Sequence, residues 1–308
     1  MNTMKNHAVA LGIALSYIFP SAADAGAYLA ATAGTGPDGY RSTELRGNAD
    51  LLDTPLNLNA LVFRSDSSAG DPASQSVLGL NWSLSKLVNL GASHTKQSNS
   101  QVDVSGNSLS FALMLDTLWQ GDLRTKLELK HGSSAHTFKQ LPQTVKNDTI
   151  NQSANSLVLS QDIAIPVSIY VSYDRYLYDH DPKQAAQYLM KISPRRSSDS
   201  RSSLLSFPDS TTNFGITWLA SDALSVDLSS IKTLTQLDQT QKTRRLGIDY
   251  QVTDHLNFTA AVSRVSSTAV VTKQIIFPNI QALTIPAGTT VIPSSNDTYI
   301  ELGLGWSF

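Results

Sequence analysis

The sequence from Tyr299 to Phe308 reads YIELGLGWSF, and it alternates strictly between apolar residues and polar or small ones. The apolar positions are Ile300, Leu302, Leu304, Trp306 and Phe308. Because successive side chains of a β-strand point to opposite faces, this pattern predicts a strand with one continuous apolar face and one small, polar face. A strand that separates lipid from water in a transmembrane barrel needs both faces.

The same alternation recurs along the chain. Apolar residues take every second position in the ranges 56–62, 78–84, 109–115, 167–173, 214–218, 224–228, 246–252 and 256–262, and in 123–129 with the exception of Thr125. In the range 123–129 the leucines alternate with Arg124, Lys126 and Glu128. Charged residues opposite leucines face bulk water in a soluble sandwich and the lumen in a barrel, so periodicity alone does not separate these two folds.

Connections of alternating length favour the barrel. Short, turn-forming links occur at 53–55, 85–86, 120–122, 165–166, 221–223 and 253–255, and longer polar segments lie between them at 65–74, 97–107, 132–155, 179–212, 233–242 and 266–297. Bacterial barrels have short periplasmic turns, long external loops and an even number of strands. We predict a single antiparallel up-and-down transmembrane β-barrel of about 14 strands, the first of them within Gly26 to Thr35. Twelve strands result if that segment is a free tail and one hairpin is misassigned.

The N-terminal segment indicates export. Lys5 precedes twelve apolar or small residues, 8–19, and Ala23-x-Ala25 follows Pro20. A membrane-spanning helix needs ~20 apolar residues, so this pattern predicts a cleaved signal peptide over 1–25 and a barrel over 26–308. The chain contains no cysteine, which excludes disulfides, zinc–thiolate sites and a lipid-modified N-terminus.

The closing alternation resembles the last strand of Gram-negative outer-membrane β-barrels, which end in a phenylalanine. The resemblance is to porin-like proteins as a class, without a subfamily, and it implies location in the bacterial outer membrane. It also implies that Trp306 and Phe308 form a signal read by the barrel-assembly machinery. Aromatic residues near strand ends support a membrane girdle: Trp82, Trp119, Trp218, Tyr250, Trp306 and Phe308.

The positions between the apolar ones are predicted to face the lumen. Nine acidic and five basic residues are predicted to lie there: Glu44, Arg46, Asp50, Asp116, Arg124, Lys126, Glu128, Lys130, Asp162, Asp174, Asp227, Arg245, Asp249 and Glu301. Two interpretations stay open. The charges line a wet pore for small polar solutes or ions, or they form ion pairs that brace a closed lumen.

The function favoured by the sequence is a passive pore, with a non-conducting structural or partner-binding barrel as the alternative and an enzyme as the least favoured reading. Only Asp179-His180-Asp181 is similar to the rim residues of omptin-like proteases, and no second acidic pair accompanies it. No catalytic residue, cofactor or metal site is predicted, and no basic face suggests nucleic acid. The expected contacts are outer-membrane lipid and lipopolysaccharide, with a periplasmic or surface partner in the alternative.

The segment from Asp179 to Thr212 is the longest predicted loop. It is rich in serine and locally basic around Arg195, Arg196 and Arg201. Three roles stay open for it: a constriction folded into the barrel mouth, a site for lipopolysaccharide phosphates, or a solvated surface.

Overall fold

A computed structural model describes residues 26–51, 54–68, 72–115, 124–139, 149–164, 166–183, 207–271, 275–276, 284–285, 290–292 and 294–308. The predicted signal peptide lies outside these residues, as do Trp119 and Asp116. No helix among the described residues is long and apolar enough to cross a membrane.

The fold is a closed antiparallel barrel of 14 strands, as predicted. The strands are β1 (Ala27–Thr35), β2 (Arg41–Asp50), β3 (Leu56–Asp66), β4 (Ala73–Ser83), β5 (Val88–Ser98), β6 (Val102–Met114), β7 (Thr125–Phe138), β8 (Thr149–Ala164), β9 (Val167–Tyr178), β10 (Pro208–Ser221), β11 (Leu224–Thr235), β12 (Thr240–Gln251), β13 (Leu256–Ser267) and β18 (Ser295–Ser307). Each strand pairs with its sequence neighbour, and β1 pairs with β18 to close the barrel.

The outer wall is apolar because the alternating residues point outward. Side chains that would be buried in a soluble protein are half-exposed here, including Leu80, Leu157, Phe214, Leu246 and Leu302. Trp82, Trp218, Tyr250, Trp306 and Phe308 lie on the same outer face near the ends of their strands. Such a surface is suited to lipid, and the aromatic residues lie where a girdle at the membrane interface is expected.

The short connections lie where the sequence predicts them. Tight links join β4 to β5, β8 to β9, β10 to β11 and β12 to β13. The predicted link at 120–122 lies outside the described residues.

The predicted long loops are shorter than expected in three places, which corrects the sequence-based boundaries. β5 ends at Ser98 and β6 begins at Val102; β7 continues to Phe138 although a loop is predicted from Gly132; and β11 and β12 are separated only by residues 236–239. The outward residues of these strand ends are polar or small, apart from Leu234, so the ends lack the outward apolar alternation that marks a membrane strand in sequence.

The connection between β13 and β18 contains four short strands, β14 (Val270–Val271), β15 (Ile275–Ile276), β16 (Thr284–Ile285) and β17 (Thr290–Ile292). They form two separate two-stranded ladders, β14 with β17 and β15 with β16.

A buried cluster of Tyr40, Val265 and Tyr299 lies on the inner side at this end of the barrel, with the two tyrosine rings edge to face at 5.0 Å.

The last two residues of the chain are held on both sides of the final strand. The amide of Ser307 donates to the carbonyl of His255, and the amide of Phe308 donates to the carbonyl of Ala27 at 2.9 Å. The Phe308 ring lies on the outer face and is 53% exposed, so it makes little contact with the rest of the barrel.

We expect Phe308→Ala to lower the amount of barrel in the outer membrane several-fold while leaving refolding in detergent close to that of the wild type, since the ring makes little contact within the fold. The folded barrel would be quantified as the heat-modifiable band of the outer-membrane fraction. Phe258→Ala is the matched control, because it removes an outward ring from β13 that is 37% exposed. Equal losses in the two variants would contradict a special role for the terminal residue.

Candidate functional site

The inner wall encloses a cavity of about 520 Å³ between β1, β2 and β3 on one side and β9 to β13 and β18 on the other. It lies on the face opposite to the lipid-facing residues, because the strand period of two places the intervening side chains there. Six of the predicted lumen residues line it: Glu44, Arg46, Asp227, Arg245, Asp249 and Glu301. The structure therefore gathers residues from four strands, β2, β11, β12 and β18, which span most of the length of the chain.

Glu44 and Arg46 form an ion pair along β2. They are two residues apart, so both point inward, and Arg46 Nη2 lies 2.8 Å from Glu44 Oε1. The Glu44 side chain is 17% exposed and that of Arg46 is 56% exposed. The carboxylate thus lies against the wall, and the guanidinium extends into the lumen.

Arg245 connects two carboxylates across three strands. Its Nη1 donates to Asp227 Oδ1 at 2.9 Å, and its Nε lies 3.8 Å from Glu301 Oε2. Gly247 makes room for the first contact, since a Cβ at this position would collide with the Asp227 carboxylate. The pairs cross-link β11, β12 and β18 on the inner wall, which fits the bracing interpretation for this part of the lumen.

Asp249 lines the same cavity and forms no ion pair among the described residues. The cavity is therefore bordered by four carboxylates, from Glu44, Asp227, Asp249 and Glu301, against the two guanidiniums of Arg46 and Arg245. A water-filled space with this excess of negative charge attracts cations and repels anions.

The charged residues of β7 lie elsewhere. β7 is seven strands from β18 in either direction around the barrel, on the opposite wall. There Lys126 Nζ lies 2.7 Å from Glu128 Oε2, and Lys130 follows on the same face. None of the three borders the cavity described above.

The remaining predicted residues take other places. Asp174 is on the inner face of β9, level with Ser156 and Thr211. Arg124 precedes β7 at the turn-side end of the barrel, where its amide donates to Asp162 Oδ2 at 3.2 Å. Asp50 is at the turn-side end of β2 and accepts a hydrogen bond from Asn57. Asp116 lies outside the described residues.

Three aromatic residues of the cavity wall are absent from the sequence-based prediction: Tyr28, Phe63 and Tyr170. Tyr170 lies opposite Gly215 in register, and its ring occupies the space that a Cβ of that glycine would take. The sequence does indicate the inward orientation of Tyr170, because Tyr170 shares its strand parity with Ser168, Ser172 and Asp174 rather than with the outward valines. Aromatic rings beside charged groups give the wall surfaces for stacking as well as for hydrogen bonding.

A second aromatic cluster lies inside the external end of the barrel. Phe207 is 1% exposed, and its ring centroid is 5.3 Å from that of His136, 6.0 Å from Phe138 and 5.8 Å from Tyr178. These partners occupy inward positions of β7 and β9. The predicted loop 179–212 is therefore anchored within the barrel at its C-terminal end.

The backbone at Phe207 supports this anchoring role. Its φ angle of 40° lies in the left-handed region, which costs about 1–2 kcal/mol for a residue with a side chain. Its carbonyl accepts a hydrogen bond from the amide of Gln236 at 2.8 Å, and the Tyr178 hydroxyl donates to the next carbonyl, that of Pro208, at 2.8 Å. Burial of the ring and these hydrogen bonds offset the cost of the conformation.

His131 and Asp179 form hydrogen bonds with residues of β8, and His136 lies in the interior of the barrel. His136 faces the interior, whereas His131 is five residues earlier on the outer face, where Nδ1 is 2.9 Å from Asn155 Oδ1, so the two cannot share a metal ion. Asp179 accepts hydrogen bonds from the amide and the side chain of Asn151 at 2.8 and 2.7 Å. These contacts tie the end of β9 to β8.

Comparison with solved structures finds outer-membrane porins and channels. The chain is similar to the CymD monoaromatic hydrocarbon channel, with a TM-score of 0.52, 9% identity, and coverage of 92% of this chain and 88% of the channel. The outer-membrane channel DcaP of Acinetobacter baumannii gives a TM-score of 0.47 at 8% identity, with 92% and 96% of the two chains covered. The KdgM porin gives 0.43 at 7% identity, with 91% and 99% covered.

At such identities the likeness is one of fold. No protein-family model matches the sequence, and no curated protein does.

We expect Phe207→Ala to destabilise the barrel by about 3 kcal/mol, the usual cost of removing a fully buried phenylalanine ring. The measurement is urea-induced unfolding in detergent micelles, followed by tryptophan fluorescence. Phe214→Ala, on the strand β10 that follows Phe207, is the control, because its ring is outward and 46% exposed. A loss no larger than that of the control would contradict the anchoring role of Phe207.

Proposed function

We propose that this chain is a passive pore of the bacterial outer membrane that conducts small polar solutes and ions with a weak preference for cations. The observation that carries the proposal is the charged and polar cavity of about 520 Å³ inside a closed 14-strand barrel. The outer-membrane location, the cleavage of residues 1–25 and recognition by the barrel-assembly machinery belong to the same proposal.

Barrel size supports a pore. Barrels of ~8 strands have interiors that side chains fill, whereas 16–18 strands leave an aqueous channel. A barrel of 14 strands lies between these sizes, so the identity of the inward residues matters. On the wall of the cavity, Thr32, Ser225 and Ser229 are small and polar, which leaves room for water between the ion pairs.

The charges support the cation preference. Ion pairs at Glu44–Arg46 and Asp227–Arg245 are locally neutral, whereas Asp249 is unpaired among the described residues. With screening at ~0.1 M salt, a single charge about 7 Å from a permeating ion in water contributes about 0.3 kcal/mol, favourable for a cation and unfavourable for an anion. The difference of about 0.6 kcal/mol is enough for a two- to threefold preference and too little to exclude anions.

The alternative is a non-conducting barrel that supports a surface or periplasmic partner. The ion pairs that join β11, β12 and β18 are the feature that favours it, since such contacts brace one wall of the lumen and are not needed to conduct solutes. Planar-bilayer recording decides between the two functions. A folded, heat-modifiable protein that opens channels supports the pore, and the same protein without conductance overturns it in favour of a scaffold that should be isolated together with its partner.

We expect Asp249→Asn to lower the cation-to-anion permeability ratio about two- to threefold with little change in thermal stability, because the residue contributes charge but no ion pair. The ratio follows from reversal potentials measured under a salt gradient. Asp66→Asn is the matched control, since Asp66 is an exposed residue in an outward position near the external end of β3. An unchanged ratio in Asp249→Asn, or an equal change in the control, would contradict the charge-based preference.

A further inference from the structure

Four basic side chains face outward on three adjacent strands near the external end of the barrel. They are Lys232 on β11, Lys242 and Arg244 on β12, and Arg264 on β13, and all are exposed. Their outward orientation follows from strand parity, because each shares its parity with lipid-facing residues such as Leu228, Leu246 and Val262. We call these four residues the basic patch.

The register places the basic patch directly beyond the lipid-facing belt. Leu228, Leu246, Val262 and Ile300 form one outward row across β11, β12, β13 and β18, and they are 53%, 40%, 40% and 50% exposed. Arg244 and Arg264 occupy the next outward row, and Lys232 and Lys242 the row after it. Two residues of a strand advance about 7 Å, so these charges lie at the depth of lipid headgroups.

The arrangement within the basic patch is unfavourable without an anion. Lys232 lies directly opposite Lys242, and Arg244 lies directly opposite Arg264. Like charges at directly opposed positions of neighbouring strands destabilise a sheet. The other outward residues of these two rows are hydroxyl or amide residues and include no carboxylate among the described residues: Ser230, Ser266, Asn296 and Thr298.

The other outward basic residues on the described strands are balanced by a carboxylate or isolated. Lys139 pairs with Asp103 at 2.8 Å, Arg175 pairs with Asp209, and Arg41 lies opposite Asp66 in register. Arg64 and Lys96 have serine and threonine as their cross-strand neighbours. The basic patch is therefore a local concentration of positive charge and not a general property of the outer wall.

We infer that the basic patch binds the phosphate groups of the phosphorylated glycolipid that forms the outer leaflet of the outer membrane. A diphosphorylated headgroup matches two rows of cations, since guanidinium groups bind phosphate in a bidentate manner and lysines add point charges. Arg264 is already oriented, because its Nε donates to Asn296 Oδ1 at 2.8 Å, and its side chain is exposed. The inference rests on the proposed outer-membrane location but not on conduction.

The test is binding of fluorescent lipid A by the folded barrel in detergent, with diphosphorylated and dephosphorylated lipid A as paired probes. Each surface base contributes about fivefold to binding of an anionic headgroup, so Arg244→Gln with Arg264→Gln should weaken binding of the diphosphorylated probe about 20- to 30-fold. Binding of the dephosphorylated probe should not change, and added salt should weaken wild-type binding.

Arg64→Gln with Lys96→Gln is the matched control, because it also removes two outward, exposed positive charges. Equal weakening in both double variants, or no weakening in Arg244→Gln with Arg264→Gln, overturns the inference. Heat-modifiability verifies that each variant is folded, and its conductance in a bilayer free of glycolipid is recorded separately. Failure of the pore proposal is then seen as silent wild-type protein, whatever the lipid A result.

Discussion

The structure depends on the fact that hydrocarbon offers no hydrogen-bond partners to the peptide backbone. A sheet in lipid must therefore have no edge, and this chain meets that condition by pairing its first strand with its last. β1 and β18 are in register from Tyr28 opposite Ser307 to Thr35 opposite Ile300. The final amides also find partners, that of Ser307 on His255 and that of Phe308 on Ala27.

Closure also fixes the chemistry of both surfaces. Once the register is set, each strand contributes alternate residues to lipid and to lumen, and a shift of one residue would reverse the assignment. The charged residues of the cavity are tolerated because they face water and one another. Gly247 shows how closely the inner wall fits these charged residues. It lies opposite Asp227 in the β11–β12 register, and this position must lack a side chain for the Asp227 carboxylate to reach Arg245.

The sequence predicts the membrane-embedded parts of the strands well, and it predicts the strand ends beyond them less well. The alternation of β18 and the short turns are enough for a 14-strand barrel because every membrane-embedded strand must repeat that pattern. Beyond the membrane the constraint disappears, so the continuation of β7 to Phe138 looks like a loop in sequence. Parity directs Asp227 and Arg245 inward, but their contact depends on a register between strands that a single sequence does not specify. Phe207 was missed for the same reason, since its partners come from β7 and β9.

Arg244 and Arg245 illustrate how far neighbouring residues diverge in such a fold. They are adjacent in β12, yet Arg245 lies between Asp227 and Glu301 on the inner wall, whereas Arg244 faces outward opposite Arg264. The inner guanidinium is compensated by carboxylates of the same chain. The outer one has no carboxylate partner among the described residues, and its nearest charged cross-strand neighbour is another arginine. If both arginines served only to hold the strands together, the outer one would be expected to have an acidic partner as well. The difference indicates that the barrel satisfies its interior charges by itself and leaves those at the outer rim to be neutralised by its surroundings.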